Sequence, residues 1–192
     1  MHKLTPDDLL TLEAYARERP QFRRAVLEHK KHRVLHLGEH LTLLFEDRRT
    51  VQYQIQEMLR IERIFEAAGI QDELDAYNPL IPDGGNLKAT LLVEYEDEQQ
   101  RRRELQRLRG LEDHIELQVD GDTVTAIADE DMPRSNDDKT SAVHFLRFEL
   151  TPAMRTAWNT GAPVVLRSTH LAALLAATLN PEQRCALAAD FH

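Results

Sequence analysis

The chain has 192 residues, 42% of them apolar and 30% charged, so it holds enough apolar material for a sizeable core and is neither disordered nor collagen-like. The formal charge is −9, with −12 in residues 51–150 against +2 in residues 1–50 and +1 in residues 151–192, a balance that disfavours nucleic acid as a partner. No run of about 18 apolar residues occurs, the first twenty residues carry Asp7, Asp8, Glu13 and Glu18, and Cys185 is the single cysteine, so neither a membrane span, a secretory signal nor a disulfide framework is expected, and the compartment implied is the cytoplasm.

Thr5-Pro6 predicts a helix near 6–17, with threonine as cap, proline at the first helical position and Asp8 three residues after the cap. A second helix near 20–31 follows Pro20 and carries Phe22, Val26 and Leu27 on its apolar stripe. Residues 33–37 and 40–46 read as strands around Gly38-Glu39, a pair that suits a two-residue turn with glycine first. Val51, Ile55, Met58, Leu59, Phe65 and Ala68 recur at helical spacing and predict one long helix near 48–68, closed by Gly69. A shorter helix over 71–77 leads into the punctuated loop 78–86. Strand 88–95, a helix over 98–109 ended by Gly110, and strands 114–119, 122–128 and 143–150 follow, with Asp120-Gly121 marking a hairpin. Thr151-Pro152 starts a helix over 152–160, residues 163–168 form a strand, and Asn180-Pro181 starts a helix over 181–190. Strands that come both as hairpins and between helices indicate a single α+β domain spanning 1–192 with a largely antiparallel mixed sheet.

Four histidines, His29, His32, His36 and His40, fall in twelve residues at spacings that would align on one helical face. Val34, Leu35 and Leu37 before Gly38 favour a strand instead. A two-residue hairpin then places His36 in the core with Leu41, Leu43 and Phe45, leaving His40 on the opposite face. His144 alternates onto the apolar face of its strand with Leu146, Phe148 and Leu150, where an imidazole needs a hydrogen-bond partner or a metal. The metal candidates are His36, His40 and His144 with Glu57 or Glu62, a donor set suited to iron, zinc or manganese. The anion candidates are Arg60, Arg63 and Lys88. Glu62 and Glu66 share a helix face with no histidine three residues on, which argues for surface ion pairs with Arg60 and Arg63 and against a diiron bundle. The basic run Arg101-Arg102-Arg103 with Arg107 and Arg109 lies among Glu96, Asp97, Glu98, Glu104 and Glu112 and reads as a solvated helix face laced with ion pairs. Asp129-Glu130-Asp131 and Asp137-Asp138 read as a solvated acidic loop, because the ordered spacing of a calcium loop is missing. The loop at Pro82-Asp83-Gly84-Gly85-Asn86 precedes a strand, so it reads as a tight turn, not a phosphate loop.

Three stretches carry a resemblance. They are Gly38 to Asp47 continuing through Gln56 to Glu66, Ala76 to Gly84, and Ser141 to Leu150. The chain resembles the bacterial domain-of-unknown-function family three thousand five hundred and one (DUF3501) over nearly its whole length. The family brings no established activity. The resemblance implies neighbours of rubrerythrin-like and iron–sulfur oxidoreductase type, and so a role near peroxide or redox metabolism. It also implies a His-Pro pair near the C-terminus, where this sequence has His170-Leu171. The expectation is therefore an accessory or binding protein that docks on a redox partner, with a metal-dependent enzyme of non-haem iron type as the alternative.

Overall fold

In the computed structural model, residues 2–128 and 139–191 are described; the expected acidic loop at 129–131 and 137–138 lies outside the described residues. Thr5 and Asp8 close a capping box, yet it starts only one 3-10 turn, Pro6–Asp8. The expected pair of helices at 6–17 and 20–31 is instead one helix, α1 (Leu12–Lys31), which begins at the Thr11 cap and runs through Pro20. An interior proline costs about 3 kcal/mol of helix. Tertiary contacts on both sides of it offset that cost: Tyr15 and Val26 are fully buried, and Arg19 forks onto Glu57 of the next helix.

That helix, α2 (Arg48–Glu62), is capped by Asp47, whose side chain accepts from Thr50 N–H. The expected long helix to residue 68 ends early, at Arg63, in the left-handed region with φ 56°. The chain reverses there, and α3 (Ala67–Tyr77) folds back so that Leu74 joins Val51, Ile55, Leu59, Leu4 and Ile81 in a small core. Gly69 does not close a helix. It lies inside α3, where a Cβ would come within 2.7 Å of Ile64 Cγ2, so the tight corner requires glycine.

Strands β1 (Val34–Leu37), β2 (Leu41–Glu46), β3 (Asn86–Val93), β7 (Val143–Glu149) and the two-residue β6 (Ile127–Ala128) form one sheet in the order β1-β2-β3-β7-β6. Strands β5 (Asp122–Thr125), β4 (Ile115–Val119), β8 (Val164–Ser168) and β9 (Leu175–Thr178) form the second, in that order. Every pairing is antiparallel. Segment 122–128 belongs to both sheets, and Ala126, the corner between them, donates its N–H to Ile115 O. The α+β reading holds, with the strands divided between two sheets.

The first hairpin departs from expectation. Leu37 pairs with Leu41, so the loop is Gly38-Glu39-His40, three residues long, with Gly38 at φ 74°. That one-residue slip turns Leu35 and Leu37 inward and His36 outward. The inward rows, such as Leu35, Leu43, Leu91 and His144, then face the inner residues of the second sheet, Ile115, Leu117, Val164 and Leu166, across one core. Leu105 of α4 (Glu98–Arg107), Met154 and Trp158 of α5 (Pro152–Asn159) and Leu187 of α6 (Pro181–Ala188) join the same core. No helix among the described residues is long and apolar enough to cross a membrane.

Candidate functional site

A concavity of about 830 Å³ opens beyond the ends of β2, β3 and β7. Leu92 and Val143, paired across β3 and β7, turn outward to make its floor, and Val93 and Ala142, which pack on the core, line it where the strands end. One wall is a stacked pair: the His40 ring lies 4.0 Å from that of Tyr95 at 25° between planes. Burial, then the nearby Glu104 carboxylate, hold the Tyr95 phenol above its ordinary range, so it stays a proton donor. Glu39, Glu94 and Glu96 form an acidic rim, and none of them is ion-paired among the described residues.

Both histidines of the first hairpin lead to Glu94. His40 Nδ1 donates to Glu94 O at 2.9 Å. The Thr42 hydroxyl donates to Glu94 Oε2 at 2.5 Å and so accepts from His36 Nδ1 at 3.0 Å. His36 is therefore exposed on the outer face and not in the core, and the two histidines do not point to opposite faces. The cause is the three-residue loop, which a reading of Gly38-Glu39 as a two-residue turn misplaces by one position.

The proposed metal set does not assemble. His144 is on the inner face, fully buried, with Nε2 at 2.7 Å from the Thr140 hydroxyl. Thr140 in turn donates to Glu112 Oε2 at 2.8 Å, so a buried histidine–threonine–glutamate relay occupies this corner. Glu57 faces α1, where it accepts from Arg19 Nε and Nη2 at 2.7 and 2.8 Å and from the Tyr15 hydroxyl at 2.7 Å. The Arg19 fork holds the Glu57 carboxyl down at about 2, against the opposing effect of burial. Glu62 is exposed at the end of α2. Among the described residues no three His, Cys, Asp or Glu side chains are placed to hold a metal ion.

The anion set is also dispersed. Arg60 pairs with Glu57 at 3.3 Å, Arg63 is the exposed left-handed cap of α2, and Lys88 donates to Pro79 O beneath the 78–86 loop. That loop is a turn held by Asp83, whose Oδ1 accepts from Gly85 N–H. Of the ion-pair lacing expected on α4, Arg107 pairs with Glu104, whereas Arg101, Arg102 and Arg103 have no carboxylate partner among the described residues.

One cluster had no local signal. Arg33, 2% exposed, donates to Phe45 O, Glu46 O and Ala186 O and pairs with Asp190, while Asp47 lies 3.5 Å from its Nη1. His29 Nε2 meets Asp47 Oδ2 at 2.5 Å. Burial pushes the Asp190 carboxyl up to about 6, only partly offset by Arg33. Asp47 goes the other way: burial opposes its ionisation, but Arg33, Thr50 N–H and His29 together pull it below the usual carboxylate range. The members lie up to 157 residues apart, so no spacing rule finds them. The groove was missed for a related reason. Glu94 and Tyr95 fall at the end of the expected strand 88–95, which stops at Val93, and Arg101 falls in the helix expected after it, so nothing local joins them to the first hairpin.

The family described as "Protein of unknown function (DUF3501)" matches residues 3–191 of the chain. The chain is 54% identical, over the full length of both, to a protein of unknown function from Burkholderia pseudomallei K96243 whose crystal structure superposes with a TM-score of 0.94. Among curated proteins none matches.

Proposed function

The chain belongs to the DUF3501 family of proteins of unknown function, and on that footing we propose that it is a binding protein whose groove docks a basic segment of a redox partner. The carrying observation is the groove itself: an apolar floor, a stacked His40–Tyr95 wall, and three glutamates with no cationic partner among the described residues. An apolar centre with a charged rim is the anatomy of a docking surface. The acidic rim steers a positively charged partner and fixes its register. The partner class, rubrerythrin-like or iron–sulfur oxidoreductase, rests on the neighbours that the family resemblance implies.

The test is pull-down of both partner types by the intact protein at low salt, beside Glu94→Lys and Tyr95→Ala. Association with the unsubstituted protein is expected, weakening with salt over the range where the Debye length falls below about 10 Å, and lost in both variants. Association that survives Glu94→Lys and Tyr95→Ala unchanged would remove the groove from the reading, and no association at low salt would remove the reading itself.

A further inference from the structure

We infer that the segment accepted by the groove has a two-block charge order, a lysine or arginine seated among Glu39, Glu94 and Glu96 adjoined by carboxylates that reach Arg101 and Arg102. This rests on the reading of the groove as a docking site and specifies its occupant. Glu98, Arg101, Arg102 and Leu105 recur at helical spacing on one face of α4. Together with Lys139 they line a second cleft of about 330 Å³. Arg101 lines both concavities, and its Nη1 donates to Tyr95 O at 3.2 Å, which pins the guanidinium at the boundary. The chain itself bridges the two: Thr140 N–H donates to Leu105 O beside the second cleft, and Ala142 and Val143 line the first.

No carboxylate pairs with Arg101 or Arg102 among the described residues, and no cation pairs with Glu39, Glu94 or Glu96. Glu98 stands one turn from both arginines on the same face without pairing to either. A uniformly basic segment satisfies the acidic end and meets like charge at Arg101; a uniformly acidic one does the reverse. A segment carrying both charges in adjoining blocks satisfies each end, and a segment of one charge throughout is disfavoured by repulsion.

The experiment is fluorescence anisotropy on the intact protein at low ionic strength with three dye-labelled peptides. All share an apolar stretch with two lysines; it is followed by aspartates in the first, serines in the second and further lysines in the third. The aspartate peptide is expected to bind about fivefold tighter than the serine peptide, the gain of two exposed ion pairs, and the all-lysine peptide more weakly than either. Arg102→Gln should cut the preference to about twofold, the gain of the one pair left at Arg101, and Arg102→Glu should erase it. Equal affinity for the aspartate and serine peptides, with both lost in Glu94→Lys, would overturn the charge order while leaving the docking groove in place. Binding of none of the three would overturn both.

Discussion

At the residue scale, the buried polar groups divide into those that hold the fold and those that respond to pH. His144 is enclosed and hydrogen-bonded to Thr140, so His144→Ala removes that bond and opens a gap, while the Thr140 hydroxyl keeps its bond to Glu112. The expected cost is about 1–3 kcal/mol in urea unfolding, the same with and without chelator; a cost seen only in metal-loaded protein would mean that the ring is a ligand. Arg33 carries more, because its removal leaves Asp47 and Asp190 buried together. Arg33→Met should destabilise by about 3–5 kcal/mol, read as a fall in denaturation midpoint. The carboxylates give opposite pH slopes. Glu57, lowered from 4.5 to about 2, contributes stability that is present above 4.5 and lost as pH falls toward 2. Asp190, raised from 3.8 to about 6, binds its proton more tightly folded than unfolded, so its contribution worsens as pH rises between those values. Melting temperature followed from pH 3.8 to about 6 should therefore fall less in Asp190→Asn than in the unsubstituted protein; parallel profiles would show that Asp190 is not the titrating group.

At the element scale, the corner between α2 and α3 is a conflict between helix propensity and packing. Gly69→Ala adds about 1 kcal/mol of helix preference, but its Cβ meets the stiff, β-branched Ile64 at 2.7 Å. The single substitution should destabilise, and in an Ile64→Ala background it should stabilise; additivity of the two in a double-mutant cycle would deny the contact. This corner also shows what local pattern conveys. The apolar stripe of α2 was legible from Val51 to Leu59, as were the proline-led helix starts at Thr151-Pro152 and Asn180-Pro181 and the strands β2, β3 and β7. The end of α2 was not, because Arg63 takes a left-handed conformation that sequence assigns to glycine, and the apolar spacing ran on to Phe65, now exposed. Strand β9, Leu-Ala-Ala-Thr, has weak strand preference and exists through its pairing with β8. The histidine positions failed on one residue of loop length, since register converts that into a change of face. The groove was invisible for a different reason: it forms where the 38–40 loop, the 94–101 segment and residues 142–143 meet, and none of these announces the others.

At the scale of the whole molecule, two cores share the work. The larger lies between the sheets, and the smaller joins α2, α3 and the Leu4 segment on the outside. The groove sits on the larger body, so substitutions in the smaller core should lower stability without changing what binds. Leu74→Ala, fully buried there, is expected to cost about 2–5 kcal/mol while peptide affinity at the groove, measured well below the melting temperature, stays constant; a parallel loss of affinity would mean that the two bodies are coupled. The Arg33 cluster has a consequence of another kind, set by the order in which a ribosome delivers the chain. Its guanidinium emerges with the first hairpin, but Ala186 and Asp190 follow only 153 and 157 residues later. At about 5–20 residues per second that is a wait of roughly 8–30 s, during which the arginine keeps its hydration and the edge at β1 remains unsealed. Closure of this cluster thus waits on residues 186–190, and a nascent chain stalled before residue 186 should expose its α1–β1 junction to protease while the α1–α2 pairing through Glu57 is already in place.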